Sequence, residues 1–212
     1  MGTRDELIAE LSRDLPPVRR SPNIDRLASA WFVLGAVFVI LATQLAGPVR
    51  PGAVSQLLAE PRFLLETLLG VVAIFWTSRL AFRGAVPAAL TRRFALIGFV
   101  LMLMWLAQYV FGLIDPALEP SELGKRGFCS LEVIVYSVPL LVAALFFVRR
   151  LYPLSFVRTA MSVGLAAGMV PALYMQLACM YEPIHILSFH LFPGLMMTLA
   201  AAAIALALSL IH

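Results

Sequence analysis

The sequence predicts an all-α protein, a polytopic membrane bundle of about six transmembrane helices with both termini cytosolic. Composition is the first reason: 61% of the 212 residues are hydrophobic and 13% charged, with a mean hydropathy of +0.92, whereas soluble domains hold roughly 45–50% apolar and 25% charged residues. A water-soluble core cannot hide that much apolar surface. The second reason is length, because several apolar runs reach the roughly 20 residues that cross a hydrocarbon layer about 30 Å thick. The third is charge asymmetry. With an even number of spans and the amino terminus inside, Arg4, Arg13, Arg19, Arg20, Arg26, Arg79, Arg83, Arg92, Arg93, Arg149, Arg150 and Arg158 fall on the cytosolic side, and only Arg50, Arg62, Lys125 and Arg126 fall outside. That bias satisfies the positive-inside rule and points to a bacterial inner membrane. The outer loops are correspondingly acidic, with Glu60, Asp115, Glu119, Glu122 and Glu182.

Residues 1 to 26 form a polar cytosolic tail, and residues 27 to 212 form the six-helix transmembrane domain. Thr3-Arg4-Asp5-Glu6 has the form of a capping box, so a helix should begin at Arg4. Leu7, Ile8, Leu11 and Leu15 then recur on one apolar stripe, and Pro16-Pro17 stops the helix. A helix this short is marginal alone, so its stripe becomes ordered only against another surface. One candidate surface is the lipid interface. The other is a groove on a cytosolic protein, and the acidic polar face suits a basic partner better than it suits lipid.

The first apolar run starts near Leu27, too deep and too long for a signal peptide, and is expected to remain as an anchor. The spans are expected at 27 to 46, 63 to 82, 94 to 114, 129 to 148, 156 to 178 and 189 to 210. The cytosolic loops between them are too short to fold as domains. Pro139, Pro171 and Pro193 lie inside or at the start of spans, where a kink is the ordinary expectation. Gly164-Leu165-Ala166-Ala167-Gly168 and the alanine-rich run from Thr198 to Leu208 offer small residues at which helix backbones can approach closely.

Polar groups within the spans gather at one depth. Gln44, Glu66, Gln108, Glu132 and Gln176 fall in the outer third, while the inner half carries hydroxyls such as Ser29, Thr77, Ser162 and Thr198. No ionisable relay crosses the bilayer, which disfavours a transporter or proton pump. The two cysteines share the outer layer, since Cys129 opens the fourth span and Cys179 closes the fifth. Glu132 follows Cys129 by three residues, and Glu182, His185 and His190 follow Cys179 within eleven. Thiolate, imidazole and carboxylate at one depth fit a soft-metal site for zinc or cadmium, with Glu132, Glu182, His185 and His190 as auxiliary ligands. They equally fit a dithiol switch if the Cα atoms approach within about 7 Å. Two unrelated small hydrophobes in a packed bundle would show the same spacing.

Taken with the acidic tail ending Leu15-Pro16-Pro17-Val18-Arg19-Arg20, six spans, Pro139, Arg149-Arg150 followed by Pro153, glycines in the fifth span and the second cysteine fifty residues after the first, the chain resembles the NrsF-type membrane anti-sigma factors, negative regulators of sigma F. That resemblance implies a tail that holds an extracytoplasmic-function sigma factor at the membrane, through Leu7, Ile8, Leu11 and Leu15. It further implies that Cys129 and Cys179 sense oxidising or heavy-metal stress. No catalytic residue and no resident cofactor is expected, only transient binding of zinc or a heavy metal at the outer side. The partners are the sigma factor and the lipid bilayer, with no direct contact to nucleic acid, because the basic residues sit at span edges where topology explains them. Two alternatives remain: a membrane thiol oxidoreductase, which would ordinarily carry a CxxC pair absent here, and a small metal or solute transporter.

Overall fold

The computed structural model describes residues 3–13 and 23–210, and among them the chain is helical with no strand. Helix α1 spans Arg4–Arg13, α2 Ile24–Ala46, α3 Ala53–Ala59, α4 Pro61–Gly84, α5 Arg92–Phe111, α6 Cys129–Arg149 and α7 Phe156–Ala178. The last helix, α8, runs Pro183–Leu210 and includes a π-helical turn at Ile186–Leu191. Helices α2, α4, α5, α6, α7 and α8 are each long and apolar enough to cross a membrane.

The boundaries follow from local chemistry. Helix α1 starts where the capping box places it, with the Glu6 carboxylate accepting from the Thr3 amide at 2.7 Å. Helix α2 begins three residues earlier than expected, because the Asn23 side chain caps the Arg26 amide at 3.0 Å and draws Asp25 and Arg26 into the first turn. The expected tail therefore overlaps the first span. The third span stops at Phe111 instead of 114, where the chain breaks into turns through Gly112. The sixth begins at Pro183 instead of 189, since proline suits the first helical position and Glu182 caps the next amides. Helix α3 was not expected at all; it is a two-turn connection seated on Ala53.

Helix α7 is the axis of the bundle. Two-thirds of its apolar window is buried, against 22% for peripheral α5. Its densest packing is on α8 at the small-residue positions. A Cβ on Gly164 would strike the Met197 backbone and Ala201, and one on Gly168 would strike the Gly194 backbone. Apolar helices gain no hydrophobic drive from lipid, so such close backbone contact is what holds them together. Helices α6 and α7 run through Pro139 and Pro171 as single elements.

Cross-links tie the two ends of the bundle. At the end where α2 starts and α4 finishes, Asp25 pairs with Arg83 at 2.7 Å and with Arg79 at 2.9 Å. Close by, the Thr159 hydroxyl donates to the Gly84 carbonyl at 3.1 Å. At the opposite end α6 starts and α7 finishes, which brings Cys129 and Cys179 together.

Candidate thiol and metal centre

Two connections converge on the segment after α7. The Arg50 amide, between α2 and α3, donates to the Ala178 carbonyl at 3.0 Å, and the Ser121 amide donates to the Tyr181 carbonyl at 2.9 Å. The Tyr181 hydroxyl accepts from the Ala117 amide at 3.0 Å. The turn from Ala178 to Glu182 is thus pinned from several directions, and it carries Cys179 as the residue that terminates α7. Cys129 is the first residue of α6.

The two sulfurs lie 2.8 Å apart and both cysteines are buried. His185 Nε2 lies 3.5 Å from the Cys179 sulfur. His190 is fully buried, and neither ring nitrogen has a hydrogen-bond partner. The ligand atoms of Cys129, Cys179, His185 and His190 all fall within 4.8 Å of one another. The Cys129 thiol beside it, and then His190, draw Cys179 below the ordinary thiol range against the opposing effect of burial.

The π-helical turn makes this convergence possible. On a regular α-helix, residues five apart point roughly 140° away from each other, so His185 and His190 would diverge. A π turn bonds residues five apart and aligns them instead; here the Phe192 amide donates to the Leu187 carbonyl. The two imidazoles end with centroids 5.0 Å apart and nearly perpendicular planes. Pro193 gives the turn a cause, because a proline crowds the carbonyl four residues back and leaves it without a donor.

Glu132 and Glu182 are held elsewhere. Glu132 forms a two-pronged ion pair with Arg126 at 2.8 and 2.9 Å, and Arg126 also donates to the Pro48 carbonyl at 2.7 Å. That pairing holds the Arg126 guanidinium above its ordinary range. Glu182 accepts from the His185 amide at 2.6 Å and the Ile184 amide at 3.2 Å, so it orients the turn that carries His185. Neither carboxylate belongs to the four-donor cluster.

Sequence reasoning missed Arg50, taking it for a loop charge. Its side chain is 4% exposed, two guanidinium nitrogens lack hydrogen-bond partners, and it lies between the Phe63 and Tyr181 rings at 6.0 and 5.9 Å. Burial depresses its pKa, and the nearby Tyr181 and Cys179 partly restore it. A single arginine in the short run from Pro48 to Gly52 gives no signal of such burial. A second buried polar chain lies one turn below Cys179: Tyr109 donates to Gln176, which donates to the Thr67 hydroxyl at 2.9 Å.

On the amino-terminal helix Leu7, Ile8 and Leu11 are 57, 54 and 66% exposed. Leu15, with the Leu15-to-Arg20 segment, lies outside the described residues.

Fold and site together define a multi-pass helical membrane protein that closes a thiol–imidazole cluster into one end and exposes a short, apolar-striped helix ahead of its first span. A family model described as NrsF, negative regulator of sigma F, matches residues 11–209. The chain belongs to that family and is thereby a negative regulator of a sigma factor. No curated protein and no solved structure matches it.

Proposed function

We propose that this chain is an inner-membrane anti-sigma factor that holds an extracytoplasmic-function sigma factor through its cytosolic tail and releases it when the thiol pair reports oxidative or heavy-metal stress. The observation that carries the reading is the meeting of two cysteines fifty residues apart, 2.8 Å between sulfurs, in a chain whose exposed apolar stripe is Leu7, Ile8 and Leu11. A bundle has no need to hold two thiols at that separation, and a solvated helix has no use for three bare aliphatics. In the sequence Leu15 stands four residues after Leu11, the spacing expected of the same stripe. Twelve cationic residues on the tail side against four on the thiol side support an outward-facing sensor and an inward-facing output.

Two inputs act on the same atoms. Hydrogen peroxide would take two electrons and two protons from Cys129 and Cys179, joining the sulfurs and leaving two waters. A thiophilic cation would instead bind both thiolates and displace their protons. Either changes the distance between the start of α6 and the end of α7, and these helices meet again at the connection from Arg149 to Ser155.

The test is a sigma-dependent reporter in cells carrying the parent, Cys129→Ser, Cys179→Ser, or the Leu7→Asp, Leu11→Asp pair. The cysteine variants should stay silent on cadmium or peroxide, and the leucine pair should be switched on without stress. A full stress response in both cysteine variants would remove the thiols from the mechanism, and tight repression by the leucine pair would remove the stripe.

A further inference from the structure

We propose that Cys129, Cys179, His185 and His190 form a four-donor tetrahedral site for a soft divalent cation of the zinc and cadmium class, assembled by the π-helical turn of α8. It deepens the sensing reading and rests on that reading only for its consequence in the cell.

The donor set is the first argument. Two sulfurs and two imidazoles match the preference of these cations, and their ligand atoms lie within 4.8 Å of one another. With metal–sulfur bonds of about 2.3 Å and metal–nitrogen bonds of about 2.05 Å, tetrahedral geometry requires roughly 3.5 Å between a sulfur and a nitrogen and roughly 3.8 Å between two sulfurs. Cys179 and His185 already stand 3.5 Å apart. The sulfurs stand 2.8 Å apart, so an entering cation needs only to part them by about an ångström.

His190 is the second argument and is independent of the first. A histidine with no exposed surface and no hydrogen bond at either ring nitrogen violates the rule that buried polar groups are partnered. The neighbour that acts on it is the Cys179 thiol, a weak hydrogen-bonding group, and a cation entering between the two thiols and the second imidazole would give the ring a full partner. The third argument is the backbone: a π turn costs regular hydrogen bonding and recurs at functional sites, and this one puts two histidines on one side of the helix. A cation has a route in. His185 is partly exposed and forms part of the wall of a cleft of about 410 Å³ that also contains Glu122, Glu182 and Ser188. Glu182 then supplies the supporting contact that fixes the His185 backbone.

The probe is cobalt(II), titrated into the reduced full-length protein in detergent micelles. One ion should bind per chain, with the visible bands of a tetrahedral ion and a near-ultraviolet sulfur-to-metal transition, and zinc or cadmium should displace it. His185→Ala and His190→Ala should each weaken binding by more than about 100-fold, beyond the 10–100-fold loss usual for an outer-shell partner. His190→Cys guards against simple misfolding: it should recover tight binding with a stronger sulfur transition. Parent-like titrations in both alanine variants, or a six-coordinate spectrum without sulfur bands in the parent, would overturn the site and leave thiol sensing intact. An undiminished cadmium response in Cys129→Ser and Cys179→Ser reporter cells would overturn sensing and leave the cobalt site standing.

Discussion

Residue chemistry in this bundle is decided by which polar atoms are left without water. Gln176 is 1% exposed and uses both ends of its amide, accepting from the Tyr109 hydroxyl and donating to Thr67. It thereby clamps α4 and α5 to α7 immediately below the thiols. Gln176→Ala leaves the Tyr109 hydroxyl buried and unpaired, which costs about 1–3 kcal/mol. Gln176→Glu keeps an acceptor for Tyr109 but brings a carboxylate into an apolar interior, and it should be no better. Thermal unfolding in micelles should show a lowered midpoint for both variants, and parent-like melting would mean that the polar chain carries no stability. The depth of Gln176 and of both cysteines is legible from span registers alone, because each lies a countable number of residues from an interface. Its partners are not, since helix spacing fixes depth and leaves rotation about the axis open. Arg50 shows the opposite failure: a charge in a loop reads as solvated, and only the aromatic walls supplied by Phe63 and Tyr181, distant in sequence, make it buried.

Among the elements, the α7–α8 seam does the most positioning. Gly168 and Gly194 meet backbone to backbone, and neither has room for a side chain. Gly168→Val would force the helices apart, at a cost of about 1–3 kcal/mol from overpacking alone. It would also carry His190 away from the sulfurs, because α8 bears that histidine one turn ahead of Gly194. Cobalt affinity and thermal midpoint should therefore fall together in Gly168→Val. Gly127→Ala is the control, since a Cβ there meets nothing within 4 Å, and it should match the parent in both measurements. Loss of stability with unchanged cobalt binding would show that the seam does not position the site. The α7 side of this seam, Gly164 to Gly168, was visible in the sequence, whereas Gly194 opposite it was not; the identity of most helices was visible too, because apolar length and period are local properties. The start of α8 was not. Glu182 capping, Pro183 at the first position and the widened turn ahead of Pro193 extend that helix outward by two turns, through a stretch whose histidines and serine read as interfacial.

For the whole molecule, the proposed sensing requires that a change at the thiols reach the opposite end of the bundle, where α2 begins. Helix α7 touches both places: Cys179 terminates it, and Thr159 near its start bonds to Gly84, at the end of α4 where Arg79 and Arg83 grip Asp25 in the first turn of α2. Helix α1, bearing Leu7, Ile8 and Leu11, precedes that turn of α2 in the sequence. A shift of α7 relative to α4 is thus a physical route from one end to the other, through packed helices with fixed contacts at each end. Thermodynamic linkage makes this route testable without knowing its details. If occupying the thiol site weakens sigma-factor binding by some factor, then sigma-factor binding must weaken cation binding by the same factor. Couplings of this kind usually amount to about 1–3 kcal/mol, or 5–150-fold. With the cognate sigma factor in excess, cobalt affinity for the full-length protein should fall by a factor within that range, and sigma-factor affinity should fall equally when cobalt saturates the site. Leu7→Asp, Leu11→Asp protein should show no shift, because the partner no longer binds. Cobalt affinity that ignores a bound sigma factor would mean the two ends act independently, and release would then require covalent joining of the sulfurs instead of cation capture.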